Sequence, residues 1–170
     1  MDIKNKNMRG FTLIELLAVI VVLAIVMLIA ATAVLPRMSE ARQQVFAIEA
    51  NKAIEAASTY FLNNNLTGGG DTLPVADGAV KCVPIKTLIT NGYFDADNSK
   101  YDGRVLVKKQ GSLYLYVVTL TNQQLMVVDK GLDGSNAYNA DIVAKDVLDF
   151  DSSTFEPKST CSSVAFPKTS

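Results

Sequence analysis

The 170-residue sequence contains no histidine and no tryptophan, has two cysteines, and carries a formal net charge of −1. Histidine is the usual general base in catalysis and the commonest metal ligand, so its absence argues against an enzyme and against a typical metal centre. The balanced charge offers no basic excess to neutralise nucleic-acid phosphates. We therefore expect a structural or binding protein with no catalytic residues, no cofactor and no bound metal.

The two cysteines, Cys82 and Cys161, lie far apart in the sequence, and neither is part of a CxxC motif. This spacing argues against a zinc site and against a thioredoxin-type redox motif. If this part of the chain is exported, a disulfide between them is the leading interpretation. Two reduced thiols remain the alternative.

A long hydrophobic run covers residues 11–35 and reads FTLIELLAVIVVLAIVMLIAATAVL. A helix of this length, rising about 1.5 Å per residue, is long enough to span the ~30 Å hydrocarbon core of a bilayer. Glu15 is its one ionisable side chain, and a carboxylate in such surroundings is costly and usually functional. The run predicts a membrane-inserted helix, with Glu15 as its candidate functional residue.

The ten residues before this run form a short basic leader, in which Lys4, Lys6 and Arg9 outnumber Asp2. By the positive-inside rule the leader stays in the cytoplasm and the rest of the chain crosses the membrane. An ordinary secretory signal, cut near the small residues 30–33, is the alternative interpretation.

The leader, Gly10, Phe11 and Glu15 together resemble the class III signal of type IV prepilins, in which a Gly precedes Phe and a Glu follows at the fifth position after the Gly. The resemblance implies that a prepilin peptidase cuts between Gly10 and Phe11 and that Phe11 is then N-methylated. The apolar helix would remain in the mature protein. Residues 1–10 are thus predicted to be a cleaved leader, and residues 11–35 a transmembrane and polymerisation helix.

Cleavage would also give Glu15 a partner, because the new α-amino group of Phe11 carries a positive charge. In a bundle of staggered helices, Glu15 of one subunit can pair with this amine of its neighbour, which neutralises both charges. The alternative is that Glu15 merely extends to the cytoplasmic headgroups. The expected partners are further copies of the chain or other pilins, the prepilin peptidase and methyltransferase, the cytoplasmic membrane, and a pilus assembly platform.

Residues 36–63 continue the helical pattern with two apolar stripes. The first is expected to pack on a sheet and contains Phe46, Ala50, Ala53, Ile54, Ala57 and Phe61. The second is expected to pack against other subunits and contains Met38, Ala41, Val45 and Ile48. Both stripes could instead belong to one core.

Residues 64–170 are predicted to form a globular head. Residues 85–90 read as a short helix, and residues 104–108, 113–120 and 124–128 read as a three-stranded antiparallel meander. Within residues 130–170, whose fold the pattern leaves open, one short helix or an edge strand is allowed by Ile142, Val143, Val147 and Phe150. Calcium binding at the Asp-rich turns around residues 95–99 or 129–141 is an alternative to simple solvated turns.

These observations predict an α+β protein with the type IV pilin fold, in which a long N-terminal helix packs on a small antiparallel sheet. The expected function is that of a structural subunit of a type IV pilus, with the LxxxGYF segment resembling pilin-like proteins of Gram-positive bacteria. A pseudopilin of a type II secretion or competence DNA-uptake system is the alternative, and a monomeric membrane-anchored binding domain is the second. The precursor is expected in the cytoplasmic membrane, and the mature subunit in an extracellular surface filament.

Overall fold

A computed structural model of the chain describes residues 12–162 and 165–167, without the side chains of residues 30–36 and 157. The chain divides into two compact units, Met1–Glu40 and Ala41–Ser170. We call the second unit the head.

One helix, α1, runs from Leu13 to Thr67. It ends where Gly68 adopts a positive φ of 74° and the amide of Gly69 donates to the carbonyl of Asn64 at 2.9 Å. The predicted end at residue 63 was therefore wrong by about one turn. The asparagines stay helical because tertiary partners hold them, for example through the amide of Asn63, which donates to the hydroxyl of Tyr93 at 2.6 Å.

The remaining elements of the head are β1 (Val80–Pro84), α2 (Ile85–Thr90), β2 (Asp102–Gln110), β3 (Leu113–Thr121), β4 (Leu125–Lys130), a 3-10 turn (Ala144–Asp146), β5 (Leu148–Asp149) and α3 (Ser152–Ser159). The predicted short helix at residues 85–90 is confirmed as α2. Of the undecided positions between Ile142 and Phe150, residues 148–149 form the edge strand β5. Helix α3, which begins after them at Ser152, was not predicted.

The sheet is an antiparallel meander with the strand order β1-β2-β3-β4-β5. The predicted three-stranded sheet was therefore too small. Strands β2 to β4 correspond to the predicted runs. Strands β1 and β5 lie outside the predicted runs, and β5 has two residues, too few for a sequence pattern.

One face of the sheet packs on α1 and forms what we call the helix-side core. Ala50, Ala53 and Ala57 of α1 are 0% exposed, and their small side chains let the helix approach the strands closely. Val105 and Val118 are cross-strand partners on this face. Tyr116 points to this same face and is also buried in the helix-side core.

The opposite face of the sheet carries a second apolar layer. We call it the outer layer, and it consists of Leu106, Leu115, Val117, Met126 and Phe155, all of which are buried without belonging to the helix-side core. Phe155 lies on α3, which contacts three adjacent strands, β2, β3 and β4. Helix α3 therefore lies across a face of the sheet and not at its edge.

The segment between β4 and β5 is held by two asparagine side chains. The amide group of Asn51 on α1 bonds both the N–H and the C=O of Ile142, each at 2.9 Å. The amide group of Asn139 likewise bonds the N–H of Tyr116 and the C=O of Tyr114, each at 2.8 Å. Asn139 thus satisfies backbone groups of β3 beyond the end of β4.

Candidate functional site

The N-terminal part of α1 presents apolar side chains on all sides. From Leu13 to Leu28 every large apolar side chain is more than half exposed, between 51% and 85%. A helix that is apolar all round is normally found inside a protein assembly or a membrane. An exposed apolar surface of this extent marks a site of interaction.

Within the described part of the chain, no helix meets the combined length and apolarity of a membrane span. The predicted span, residues 11–35, includes Phe11 and the side chains of residues 30–35, which lie outside what the structure describes. The predicted cleavage site between Gly10 and Phe11 also lies outside them. Membrane insertion and cleavage therefore stay predictions.

Glu15 forms a reciprocal capping arrangement with Thr12 at the start of α1. The backbone N–H and the hydroxyl of Thr12 each donate to Oε2 of Glu15 at 3.2 Å, and the N–H of Glu15 is 3.4 Å from the Thr12 hydroxyl oxygen. This is a capping box, in which a carboxylate near the positive end of the helix dipole satisfies backbone donors. The capping role of Thr12 was not predicted, although residues 12–15 have the T-x-x-E spacing that is typical of a capping box.

The two stripes of the helix have different environments in the head. Phe46, Ala47 and Ala50 are buried in the helix-side core, whereas Val45 is 57% and Ile48 is 55% exposed. The alternative in which both stripes belong to one core is therefore wrong for these positions. Val45 and Ile48 form an exposed apolar strip on the head part of α1.

A disulfide joins Cys82 and Cys161, whose Cα atoms lie 5.7 Å apart. Cys82 lies in β1, opposite Leu106 of β2, and Cys161 follows the end of α3. The leading interpretation of the cysteines is therefore confirmed, and the bond ties the C-terminal segment to the edge of the sheet.

The Asp-rich turns use their carboxylates locally. The Ser135 hydroxyl and the amide of Tyr138 lower the pKa of Asp133 by hydrogen bonding to its carboxylate, and the Ser99 hydroxyl does the same for Asp97. Asp129 forms an ion pair with Lys158 at 2.6 Å. Among the residues that the structure describes, no three His, Cys, Asp or Glu side chains converge as a metal site.

These features define a class of protein: an α+β head on a long N-terminal helix whose first part is apolar, an architecture consistent with the type IV pilin fold. Residues 5–31 match the family model of the prokaryotic N-terminal methylation motif, which is characteristic of type IV pilins and pseudopilins. No curated protein and no solved structure gave a significant match. The match confirms the resemblance to the class III signal.

The methylation motif carries consequences for the whole class. It implies processing by a prepilin peptidase, a membrane-anchored precursor and assembly into pilin-type filaments outside the cell. Proteins with this motif are structural and not enzymatic. The match supports a pilin-like or pseudopilin-like protein.

Proposed function

We propose that this protein is a structural subunit of a type IV pilus, cut between Gly10 and Phe11, methylated at Phe11, and polymerised through α1. The observation that carries the proposal is the exposed apolar surface of residues 13–28, in which Glu15 is the one ionisable side chain. A surface of this kind is stable in lipid before assembly and among neighbouring helices afterwards. The methylation motif at residues 5–31 supports the same sequence of events.

In this proposal Glu15 acts as the register-setting group of the assembly. Its carboxylate lies at the start of α1, beside Thr12, and therefore close along the chain to the amine that cleavage creates at Phe11. A carboxylate moved into an apolar helix bundle needs a charged or hydrogen-bonding partner. The Phe11 amine of a neighbouring subunit supplies the opposite charge.

The exposed strip of Val45 and Ile48 extends the proposed contact into the head. Its two side chains are more than half exposed, at 57% and 55%, while the opposite side of the same helix packs against the sheet. We assign this strip to contacts with the helices of neighbouring subunits. Filament growth would bury it, together with the apolar N-terminal part.

The test compares sheared surface material with the membrane fraction. A pilus subunit is expected in long filaments on electron micrographs, with an intact mass that starts at Phe11 and includes one methyl group. Short or absent filaments of a correctly processed chain would instead favour the pseudopilin. A chain that stays with the membrane would favour an anchored monomer, and a mature end near residues 31–33 would mean ordinary signal cleavage.

A set of variants tests the role of Glu15 within this proposal. Glu15→Ala should leave cleavage and head folding intact and greatly reduce filament yield, whereas Glu40→Ala, at an exposed position of the same helix, should have little effect. Thr12→Val keeps the carboxylate but disrupts the capping box, so it separates capping from charge pairing. Normal yield from Glu15→Ala, or an equal loss from Thr12→Val, would contradict the pairing.

A further inference from the structure

We propose that residues 151–162, which we call the clasp, form a redox-controlled cover over the outer layer of the sheet. With the Cys82–Cys161 bond formed, the clasp is closed. Reduction of this bond releases the clasp and exposes the outer layer, while the helix-side core stays folded.

The two apolar layers are separate, which allows one to open without the other. Strand alternation sends Val105 and its partner Val118 towards α1, whereas the adjacent pair of Leu106 and Val117 points to the opposite face. The helix-side core includes α1, α2 and the central strands. The outer layer consists of side chains from β2, β3 and β4 and of Phe155 from the clasp.

The clasp has few non-covalent attachments of its own. Helix α3 has 8 residues, which is shorter than the roughly 12 to 15 residues that an isolated helix needs to persist in water. Phe155 is its one buried side chain among those described in residues 151–162, at 3% exposure. Most of its other described side chains are exposed, so little apolar area holds the clasp in place.

Among the contacts between described residues, two polar ones hold the clasp, at different points along the segment. Nζ of Lys158 lies 2.6 Å from Oδ2 of Asp129, and the Lys158 side chain is 47% exposed. Nη1 of Arg104 donates to the carbonyl of Thr160 at 2.5 Å. An ion pair with a half-exposed lysine contributes little on average, so the covalent bond at Cys161 is the strongest attachment.

A reductant in solution can reach the Cys82–Cys161 bond because both cysteines are partly exposed. A dithiol reductant attacks one Sγ as a thiolate, breaks the S–S bond and forms a mixed disulfide. Its second thiol then closes the reductant into a cyclic disulfide. The dithiol loses two electrons overall, and Cys82 and Cys161 are left as thiols.

Opening is expected to be local because cooperative units of a protein can unfold separately when their contacts are few. Once the bond is broken, the C-terminal end of the clasp is no longer tied to β1. The described attachments that remain are the packing of Phe155, including its ring contact with Phe150, and the polar contacts of Lys158 and Thr160. They must then offset the conformational entropy that the segment gains on release. Met126 is 3% exposed and lies on β4, one of the strands that α3 contacts, so we expect it to become accessible to solvent.

The test uses Met126 as a built-in reporter in the full-length protein in detergent micelles. The protein is reduced with a dithiol, alkylated and treated briefly with hydrogen peroxide, and methionine oxidation is measured by peptide mass spectrometry. Oxidation of Met126 should become about tenfold faster than in the disulfide-bonded protein. Met38, already 48% exposed, is the internal reference and should change little.

Hydrogen exchange in residues 46–61 of α1 monitors the helix-side core in the same samples, and it should remain protected. The Cys82→Ser/Cys161→Ser variant should behave like the reduced protein. Lys158→Met keeps the disulfide and should change Met126 oxidation by less than about twofold.

Slow oxidation of Met126 after reduction would overturn the proposal, because packing alone would then hold the clasp. Loss of protection in residues 46–61 would also overturn it, because opening would be global.

Discussion

The two parts of α1 differ in whether their apolar side chains are buried within the chain. From Leu13 to Leu28 the helix is apolar on all sides and exposed, whereas from Phe46 to Phe61 it buries one face in the helix-side core. The head part is complete within one chain. The N-terminal part has an exposed apolar surface, and under the proposed function lipid or other subunits cover it.

Side-chain size follows this division. The buried face of the head part relies on Ala50, Ala53 and Ala57, whose small volume brings the helix close to the strands. The N-terminal part is instead rich in Val, Ile and Leu, which offer more apolar area for contacts with changing neighbours. Substitutions at matched positions in the two parts can therefore test whether the division is real.

The sharpest test places the same charge on opposite sides of one turn of the helix. Ala47→Asp buries a carboxylate at a position that is 3% exposed, and it should cost more than about 4 kcal/mol of unfolding free energy. Val45→Asp should change it by less than about 0.5 kcal/mol. Urea unfolding monitored by circular dichroism measures both.

Filament yield completes this test, because the proposed function assigns Val45 to contacts between subunits. Val45→Asp should reduce the amount of sheared filament although its head is stable. If Val45→Asp instead destabilised the head as much as Ala47→Asp, the division of the helix into two faces would be wrong.

The next test removes a large side chain from each part of the helix. Phe61→Ala empties a fully buried site and should lower the unfolding free energy of the head by about 3 to 5 kcal/mol. Leu17→Ala, at a side chain that is 53% exposed, should leave it within about 0.5 kcal/mol. Thermal unfolding of the two variants in the same detergent checks both values, and an equal loss would contradict the comparison.

A smaller effect is expected from the anchor between α1 and the segment after β4. Asn51→Ala removes both bonds to the backbone of Ile142 and should cost about 1 to 3 kcal/mol. Faster hydrogen exchange in residues 139–143 should accompany the loss. Asn51→Asp keeps the acceptor for the Ile142 N–H and should restore part of this protection, whereas Asn65→Ala, at an exposed position, should have no effect.

The elements predicted correctly from the sequence are those whose local pattern agrees with their tertiary role. Helix α2 follows from Pro84 and Gly92 at its two ends, and strands β2 to β4 follow from their β-branched and aromatic content. Strand β1 was missed because Pro84 is both its last residue and the residue before α2. The proline was interpreted as the start of the helix, and this hid the strand that ends there. Helix α3 was missed because Phe155 is the one described side chain that it buries. A single buried residue does not produce the periodic apolar pattern by which a helix is predicted.

In the candidate site, too, the sequence reveals only those residues whose role follows from a local pattern. The residues of the methylation motif, Gly10, Phe11 and Glu15, were readable because their spacing is itself the signal. The roles of Asn51 and Asn139 were not readable, because each amide meets a backbone segment that is distant in sequence. A polar residue on a helix gives the same local signal whether it faces water or a distant loop, so long-range anchors need the structure.

The smallest expected effect concerns pH and a contact between α1 and the segment before β2. The hydroxyl of Tyr101 donates to Oε2 of Glu49 at 2.7 Å. Burial, together with this bond to a carboxylate, raises the pKa of Tyr101 from 10.0 to about 12. Between these values the unfolded chain releases the phenolic proton while the folded head retains it, so unfolding free energy should fall as pH rises through this window.

Burial also raises the pKa values of Tyr60 and Tyr116, so the slope of stability with pH in the unsubstituted protein is a sum over several tyrosines. The contribution of Tyr101 is therefore the difference between this protein and Tyr101→Phe, measured by urea unfolding from pH 9 to about pH 11. Tyr101→Phe should show the shallower decline, because it has no phenolic proton to retain. Tyr138→Phe, at a side chain that is 63% exposed, is the matched control and should keep the slope of the unsubstituted protein. Equal slopes for all three proteins would mean that Glu49 does not hold the Tyr101 hydroxyl in solution.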